Sequence, residues 1–225
     1  MMSKIKQIPN FYLVDTFTSA KFKGNPAAVC ILDDTVTKDD MQLIAKEINL
    51  PVTVFVELQN DIASVHHLYY FTVVTEIPAC GHATLAAAKA IAMKCKAKQL
   101  RFITIEDKII TTTIADEMVV MSYPKYEAVE YKASNELLES LGLNECHVIG
   151  ICKELETLFI EINEPSVLRT VKPDYKKLMQ SNHEIIEVVI TSRSDDERYD
   201  YLIRSFCPWI GIDEDPVTGS VHSVL

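Results

Sequence analysis

The chain has 225 residues, of which 48% are hydrophobic and 24% are charged, and its formal net charge is -10. This composition suits one large globular domain or two small ones, and the negative balance argues against nucleic acid or an anionic membrane surface as the main partner. The sequence shows no N-terminal signal pattern and no apolar run near the roughly 20 residues that span a bilayer, so we expect a cytoplasmic protein.

The residue types that bind metals in proteins are not arranged as a metal site. The six cysteines do not form CxxC pairs, so they indicate neither a zinc site nor a disulfide framework. His66 and His67 are neighbours on a predicted strand, where adjacent side chains point to opposite faces. We therefore expect no bound metal.

The first half of the chain alternates strands with two helices. β-branched and aromatic patterns predict strands at 11–17, 27–32, 53–58, 65–74, 100–105, 108–114 and 118–122. The first two strands have a hairpin-like spacing. Thr37 is a good cap for a helix whose apolar residues follow at helical spacing, and Pro51 lies just past its end.

The segment 76–88 changes from strand to helix within a few residues. It reads Glu-Ile-Pro-Ala-Cys-Gly-His-Ala-Thr-Leu-Ala-Ala-Ala, so an apolar strand ends near Pro78 and Cys80 and Gly81 opens an alanine-rich helix over 82–94. The first amides of a helix form a natural anion site. The alternative interpretation is an ordinary buried helix with no ligand.

A second copy of this pattern lies near the C-terminus. Residues 214–220, Glu-Asp-Pro-Val-Thr-Gly-Ser, repeat the order of residues 76–82, and a repeat over this distance indicates two domain-sized copies of one unit. The polar, irregular segment 124–132 has the character of a crossover between them. We therefore predict an N-terminal domain at 1–123 and a C-terminal domain at 124–225, both α+β with mainly antiparallel strands.

The second half continues in the same style. It predicts strands at 146–151, 157–162, 167–170, 185–191 and 199–206, with helices after the cap residue Ser134 and at 173–180. A further helix should begin at Gly219 or Ser220. The sequence ends at Leu225, which leaves about one and a half helical turns, so we expect the second domain to be truncated.

Three blocks of the sequence resemble the phenazine biosynthesis PhzF-like family. They are Asp15-Thr-Phe-Thr with Phe22-x-Gly-Asn-Pro-Ala27, then Cys-Gly-His-Ala-Thr-Leu at 80–85, and the segment 204–220 with Glu-Asp-Pro-Val-Thr-Gly-Ser. The resemblance implies a diaminopimelate epimerase-like fold with two pseudo-symmetric domains. Each domain would be a barrel-like, mainly antiparallel sheet around a central helix, with the active site in the cleft between the domains.

The same resemblance implies isomerase chemistry: a proton shift next to a carboxylate-bearing carbon, without metal or organic cofactor. Such a reaction needs an acid or base at the C–H bond and donors that hold the substrate carboxylate. By position, His82 corresponds to the substrate-binding histidine of the active site and Asp215 to its acidic residue. Gly81, Gly219 and Ser220 correspond to the carboxylate-binding helix starts.

Cys80 is a further candidate, because the sister epimerases use cysteines as acid and base and a thiol at a helix start can have a lowered pKa. The residues taken alone leave simpler interpretations open. The two glycines would only permit turns, Ser220 would be a helix cap, Asp215 would be a turn residue, and Cys80 would be a buried thiol.

The family pattern is broken at one important position. The family has a catalytic glutamate in Asn-Leu-Ser-Glu-Thr-x-Phe, but this sequence reads Asn-Leu-Pro-Val-Thr-Val-Phe at 49–55, so Val52 replaces the base. The nearest carboxylates in sequence are Glu47 and Glu57. On a regular strand Glu57 would point to the face opposite Val52.

The sequence is compatible with two main functions. They differ in whether the protein is catalytically active with valine at position 52. In the first, the protein is an active isomerase of a small carboxylate, with Asp215 or Cys80 replacing the missing glutamate. In the second, it is an impaired homologue that binds a ligand or regulates another process; a purely structural module is a third class. We also expect a homodimer, because an incomplete second unit leaves apolar surface for a partner to cover.

Overall fold

The structure is a computed structural model that describes residues 10–32, 36–116, 118–144 and 146–225. The chain divides into two compact units, Met1–Tyr123 and Pro124–Leu225, and each is described by itself. The α+β fold predicted from the sequence is confirmed in both. Among the described residues, none of the helices combines the length and apolarity needed to cross a membrane.

Unit 1 is an eight-stranded sheet with two helices. Its elements are β1 (Phe11–Thr16), β2 (Asn25–Leu32), α1 (Lys38–Ile48), β3 (Val52–Glu57), β4 (Val65–Phe71), β5 (Glu76–Ile77), α2 (Gly81–Cys95), β6 (Gln99–Ile103), β7 (Ile109–Ala115) and β8 (Met118–Met121). The strand order is β1-β2-β3-β4-β6-β7-β8, with β5 beside β4. Only β2–β3 and β4–β6 are parallel pairs in this order, so the mainly antiparallel prediction is confirmed.

Helix α2 is surrounded by the sheet of unit 1. It contacts β1 and β2 at one end of the strand order and β7 and β8 at the other, so the sheet curls around the helix. Ala83, Ala86, Ala87 and Ala88 are fully buried. Small side chains allow strands to approach the helix from several directions, which explains why this helix is rich in alanine.

Helix α1 lies on the other face of the sheet, against β3 and β4. The Thr37 hydroxyl accepts a hydrogen bond from the Asp40 amide at 3.2 Å, which confirms the predicted cap. Met41 packs with Phe55 in a small apolar cluster. Since side chains alternate along a strand, Val52 and Phe55 lie on opposite faces of β3.

Unit 2 is a five-stranded sheet with three short helices. Its elements are α3 (Asn135–Ser140), β9 (His147–Cys152), β10 (Thr157–Glu161), α4 (Pro165–Thr170), α5 (Tyr175–Ser181), β11 (Glu187–Arg193), β12 (Tyr201–Cys207), β13 (Ile212–Asp215) and 3₁₀ turns at Pro208–Ile210 and Ser220–Ser223. The order is β13-β12-β11-β10-β9, and only β10–β11 is parallel.

The two faces of this sheet carry separate apolar clusters. Leu158 and Val188 belong to the larger cluster, which packs against residues of α3, α4 and α5. Phe159 and Val189 belong to the smaller cluster, which includes Val221 of the second 3₁₀ turn. The C-terminal turn therefore covers the sheet face opposite the three helices.

Two local predictions differ from the structure. Residues 167–170 were expected to form a strand, but they belong to α4, where Pro165 occupies the first turn and Leu168 supplies a buried contact. The Thr170 hydroxyl donates to the Ser166 carbonyl at 3.1 Å. The β-branched Val167 and Thr170 imitate a strand pattern, and the proline start and tertiary burial override it. The short strand β13 was not predicted at all.

Candidate functional site

The candidate site residues of unit 1 lie at the start of α2. Cys80 is the N-cap residue, with extended backbone angles of φ -152° and ψ 114°, and its side chain makes no capping bond. Gly81 is the first helical residue and is buried. The predicted change from strand to helix is therefore present, with β5 delivering the chain to the turn.

Cys80 and His82 are in direct contact at this helix start. The Cys80 Sγ lies 3.3 Å from Nδ1 of His82 and 4.0 Å from Nε2. His82 is only 5% exposed, whereas Cys80 is half-buried. A thiol and an imidazole at hydrogen-bond distance can exchange a proton, so the pair has the chemical groups of an acid–base device.

A buried hydrogen-bond chain fixes the backbone of this turn. The Thr84 hydroxyl donates to the Cys80 carbonyl at 2.7 Å, and the Tyr70 hydroxyl lies 2.6 Å from the Thr84 oxygen. Because the Thr84 hydrogen is used by Cys80, Tyr70 is the donor in the second bond. Burial raises the pKa of Tyr70 above its ordinary value, which keeps this donor protonated.

Tyr70 and Thr84 are not among the predicted site residues. Threonine in the first turn of a helix is a weak signal, because its hydroxyl can equally bond to solvent. The aromatic strand that carries Tyr70 was predicted, but its register against α2 is a tertiary property. The Tyr70 hydroxyl reaches the start of α2 because the fold packs β4 against this helix.

The candidate site residues of unit 2 lie in the turn that follows β13. Asp215 Oδ2 accepts a hydrogen bond from the Thr218 hydroxyl at 2.6 Å, and Oδ1 accepts one from the Val217 amide at 3.4 Å. The carboxylate therefore closes its own turn, as aspartate does in Asx turns. Asp215 is half-buried.

Gly219 and Ser220 begin a 3₁₀ turn of four residues. Gly219 has φ -80°, which any residue can adopt, so its backbone angle does not require glycine. Ser220 accepts a hydrogen bond at its carbonyl from the Ser223 hydroxyl at 2.5 Å. The structure thus places Asp215, Gly219 and Ser220 in one turn, and Cys80, Gly81 and His82 in another.

The position at which the family resemblance implies a glutamate is occupied by the buried Val52. Val52 is the first residue of β3 and is 1% exposed. Glu57 ends the same strand at an exposed position, where it accepts a hydrogen bond from the Tyr69 hydroxyl at 3.2 Å. Glu47 is exposed on α1. Both carboxylates are therefore exposed, whereas Val52 is buried.

The described residues offer no group of three or more histidine, cysteine, aspartate or glutamate side chains that could hold a metal ion. His66 has structural partners: its Nδ1 accepts from the Gln59 amide and its Nε2 lies 3.2 Å from the Ile62 carbonyl. Burial lowers the pKa of His66. A neutral ring with both nitrogens occupied is a structural histidine in this part of the chain.

Comparison with known proteins finds one family over nearly the whole chain. A family model described as phenazine biosynthesis-like protein matches residues 14–225. An uncharacterized isomerase of Halalkalibacterium halodurans is 36% identical over 219 residues, covering 95% of this chain and 79% of the relative.

Solved structures give the same result for the fold. A crystal structure of a phenazine biosynthesis PhzC/PhzF protein from Clostridium difficile has a TM-score of 0.80 and 33% identity, and covers 95% of this chain and 79% of that one. A predicted epimerase from Pseudomonas aeruginosa has a TM-score of 0.68 at 16% identity, covering 94% of this chain and 78% of that one. At this identity the second likeness concerns the fold alone.

Proposed function

The chain belongs to the phenazine biosynthesis-like family, and from this premise we propose that it is an isomerase or epimerase that shifts a proton next to the carboxylate of a small metabolite. The observation that carries the proposal is the contact between Cys80 and His82 at the start of α2. Relatives named as isomerases support the reaction class. A thiol, an imidazole and a carboxylate are sufficient groups for proton transfer, so we propose a reaction that uses side chains alone, without a cofactor.

Each candidate residue has a stated role in this proposal. Cys80 and His82 transfer the proton in unit 1, and Asp215 supplies the acidic group in unit 2. Gly81 in unit 1, and Gly219 and Ser220 in unit 2, are the proposed carboxylate-binding residues of their own turns. Small residues at these positions let a carboxylate approach main-chain amides closely.

The two units are proposed to be the two pseudo-symmetric domains of an epimerase-like fold, each built around its copy of the repeated motif. A cytoplasmic homodimer is the proposed form of the protein. Large exposed apolar side chains in unit 1, including Leu13 at 56% and Phe22 at 84%, support an association surface. Light scattering that shows a monodisperse monomer at working concentration contradicts the dimer.

A second function is supported by a specific observation. Val52 is buried and cannot accept a proton, so the protein could keep the ligand site of the family and lack its reaction. In that case it acts as a ligand-binding or regulatory protein. The two functions make opposite predictions for exchange of substrate protons with solvent.

Solvent-deuterium exchange separates the two functions. The full chain is incubated in deuterated buffer with a panel of small carboxylates, and exchange at the carbon next to the carboxylate is followed by proton NMR. Exchange above the protein-free blank identifies an isomerase, and loss of most of it in His82→Gln and Asp215→Asn assigns these residues. Asp213→Asn is the matched control, because Asp213 is an exposed neighbour on β13 and its change should leave the rate unaltered.

The role of Cys80 has its own control. Cys80→Ser should reduce exchange by roughly 10²–10⁴-fold, the usual size of an acid–base contribution. Cys95→Ser changes an exposed thiol at the far end of the same helix and should have no effect. Unchanged exchange in Cys80→Ser removes the thiol from the reaction.

The effect of valine at position 52 can be tested directly by substitution. If the wild-type protein only binds, Val52→Glu should create exchange with a carboxylate that already binds, whereas Val52→Gln should not. Calorimetry on both variants shows whether binding is retained. Exchange that is present in the wild type and unaltered by Val52→Gln shows that the reaction uses another base.

A further inference from the structure

Three neighbouring strands of unit 2 are joined by a row of side-chain hydrogen bonds. Thr157 of β10 is paired in register with Glu187 of β11, and Ser205 of β12 lies opposite Val189, two residues along β11 from Glu187. Residues paired in register, and residues two apart on one strand, share a face. Thr157, Glu187 and Ser205, which we call the Glu187 row, therefore lie on the sheet face covered by the C-terminal 3₁₀ turn.

The Glu187 carboxyl group is bound by hydroxyl groups. Its Oε2 lies 2.7 Å from the Thr157 hydroxyl oxygen, and its Oε1 accepts a hydrogen bond from the Ser205 hydroxyl. The salt bridges among the described residues do not include Glu187. An ionised carboxylate at this position would have no described cation in contact with it.

The Thr157 hydroxyl has a second partner, which bears on the protonation state of Glu187. Its oxygen also lies 2.9 Å from the Leu155 carbonyl oxygen. A hydroxyl carries one hydrogen and a carbonyl oxygen can only accept, so Thr157 can donate to Leu155 or to Glu187 but not to both.

A neutral Glu187 satisfies every group in the row. Its O–H donates to Thr157, Thr157 donates to the Leu155 carbonyl, and Ser205 donates to the other oxygen of Glu187. If Glu187 is ionised, either it or the Leu155 carbonyl lacks a donor. Thr157 is fully buried, where a lost hydrogen bond costs free energy because water does not replace it.

The surroundings of Glu187 favour the same form. Burial of the carboxyl group raises the pKa of Glu187, the bond donated by Ser205 lowers it, and the nearby Asp215 carboxylate raises it. A donated bond stabilises the charged form of a carboxyl group, and an accepted bond stabilises the neutral form. A Thr157 hydroxyl that accepts from Glu187 therefore helps to keep the proton on Glu187.

Other titratable groups lie on this face or in the adjoining turns and provide no counter-charge in contact with Glu187. They are Tyr126, Cys152, Lys153, Glu154, Glu156, Glu161, Arg193, Tyr201, Cys207, Asp215 and His222. Lys153 is exposed in the turn before β10. Arg193 ends β11, about 20 Å along the strand from Glu187. Burial lowers the pKa of His222, which favours its neutral ring.

We propose that Glu187 is a neutral carboxylic acid in a pH range where ordinary glutamates are ionised, and that its proton is a pH-sensitive link between β10, β11 and β12. Loss of the proton removes the hydrogen bond that Glu187 donates to Thr157. Because the pKa of Glu187 is raised in the folded state, this stabilisation is fully present below the ordinary glutamate pKa of about 4.3 and is lost as the pH rises through the raised pKa. The link does not depend on isomerase activity.

The protonation state is measured by carbon NMR on the full chain, labelled at the side-chain carboxyl carbons of glutamate. The Glu187 resonance is assigned by through-bond correlation to its own backbone, which needs no variant. We expect it to keep the chemical shift of a protonated carboxyl group above the ordinary pKa of about 4.3. A titration midpoint at or below this value overturns the proposal.

Thr157→Val tests the direction of the hydrogen bond. If Thr157 accepts from a neutral Glu187, its removal should lower the midpoint of the Glu187 titration. If Thr157 donates to a charged Glu187, its removal should raise the midpoint. Thr170→Val, at an exposed position of α4, should leave the midpoint unchanged. A raised or unchanged midpoint in Thr157→Val contradicts the proposed link.

The effect on the fold is measured by urea unfolding at pH values on either side of the Glu187 titration, followed by the fluorescence of Trp209. The urea midpoint of the wild type should fall as the pH rises. Glu187→Gln should remove this fall and exceed the wild-type midpoint at the higher pH, because its amide nitrogen can donate to Thr157 and its amide oxygen can accept from Ser205.

Glu184→Gln is the matched control for the unfolding experiment. Glu184 is an exposed carboxylate three residues before Glu187, and its removal should leave the fall in the urea midpoint unaltered. If Glu187→Gln loses stability with pH as the wild type does, the proton on Glu187 does not link the strands and the proposal is wrong.

Discussion

The two copies of the repeated motif, residues 76–82 and 214–220, have the same strand-to-turn course but are fixed by different side chains. The first leads into α2, which is fifteen residues long and mostly buried as far as Ile91. The second leads into a 3₁₀ turn of four residues. The two copies thus share a glutamate, a proline and a glycine at the turn, but different residues of the fold contact each turn.

The glutamates that open the two copies show the first difference. Glu76 accepts from Lys38 at 2.9 Å, and the lysine side chain is 49% exposed. Glu214 accepts two bonds of 2.7 Å from Arg204, which also donates to the Leu168 and Val171 carbonyls. The unit 2 copy is tied to the end of α4 by a planar, bidentate cation, which a lysine cannot imitate.

The closure of the turns is the second difference. In unit 1 the Thr84 hydroxyl binds the Cys80 carbonyl, which leaves the Cys80 and His82 side chains to contact each other. In unit 2 the Thr218 hydroxyl binds the Asp215 carboxylate. In the unit 1 copy the Cys80 and His82 side chains therefore take no part in closing the turn. In the unit 2 copy the Asp215 carboxylate itself closes the turn.

The largest effect is expected for Arg204→Met, which removes the cation from unit 2. It leaves Glu214 and two carbonyls without their donor, and it should lower the free energy of unfolding by roughly 2–3 kcal/mol, less than for a fully buried pair because both side chains are partly exposed. Urea unfolding followed by the fluorescence of Trp209, the single tryptophan, measures it.

The control for this change is Arg169→Met. Arg169 forms an exposed pair with Asp195, and its loss should cost much less because solvent screens exposed pairs. Equal losses in the two variants contradict the idea that Arg204 anchors the motif more firmly than a surface pair.

The next effect is expected for Thr84→Val in unit 1. The change preserves shape but leaves the Tyr70 hydroxyl without its acceptor and leaves the Cys80 carbonyl with only the Thr84 amide as donor, at a cost of about 2 kcal/mol. Far-UV circular dichroism during urea unfolding follows the loss of α2. Thr113→Val, at an exposed position of β7, should cost far less.

A double variant sharpens this test. Tyr70→Phe removes the phenol that Thr84→Val leaves unpaired, so the two changes together should cost less than the sum of the single ones. If the losses of the two single variants simply add, the Tyr70 hydroxyl has found another partner in Thr84→Val. The hydrogen bonds from Tyr70 to Thr84 and from Thr84 to Cys80 then contribute independently.

Much of the fold could be predicted because local patterns agree with it. The cap at Thr37, the alanine-rich helix after Gly81 and the alternating strands each have local causes, and the structure contains them. The strand prediction for residues 167–170 was wrong. The β-branched Val167 and Thr170 resemble a strand pattern, but they follow Pro165, which begins a helix. The curling of the sheet around α2 depends on tertiary contacts between the helix and distant strands, which local sequence patterns do not predict.

The candidate site was less predictable than the fold. The resemblance to the family pointed to Cys80, His82 and Asp215, and the structure shows what each of them touches. Glu187 gave no such signal, since it occurs singly at the start of a strand. Strand register places it beside Thr157 and Ser205, and register is not visible in a local pattern.

A smaller effect is expected for Thr218→Val, which removes the hydroxyl that binds Asp215. Water can replace part of this bond because Asp215 is half-buried, so the loss should be about 1 kcal/mol. Thr218→Ser keeps the hydroxyl and should restore most of the stability. If the serine variant is as weak as the valine variant, the methyl group rather than the hydrogen bond holds the turn. Trp209 fluorescence is again the measurement.

The smallest effect is expected for Lys38→Met, the unit 1 counterpart of Arg204→Met. An exposed lysine pair contributes about 0.2–1 kcal/mol, and methionine keeps much of the apolar stem. The loss should disappear at 1 M salt, where the screening length falls to about 3 Å, while the loss in Arg204→Met should largely persist because it includes bonds to two carbonyls. Paired urea titrations at low and high salt measure both. A salt-independent loss in Lys38→Met shows that Glu76 is held as firmly as Glu214, and that the two motif copies differ in their partners but not in the strength of their attachment.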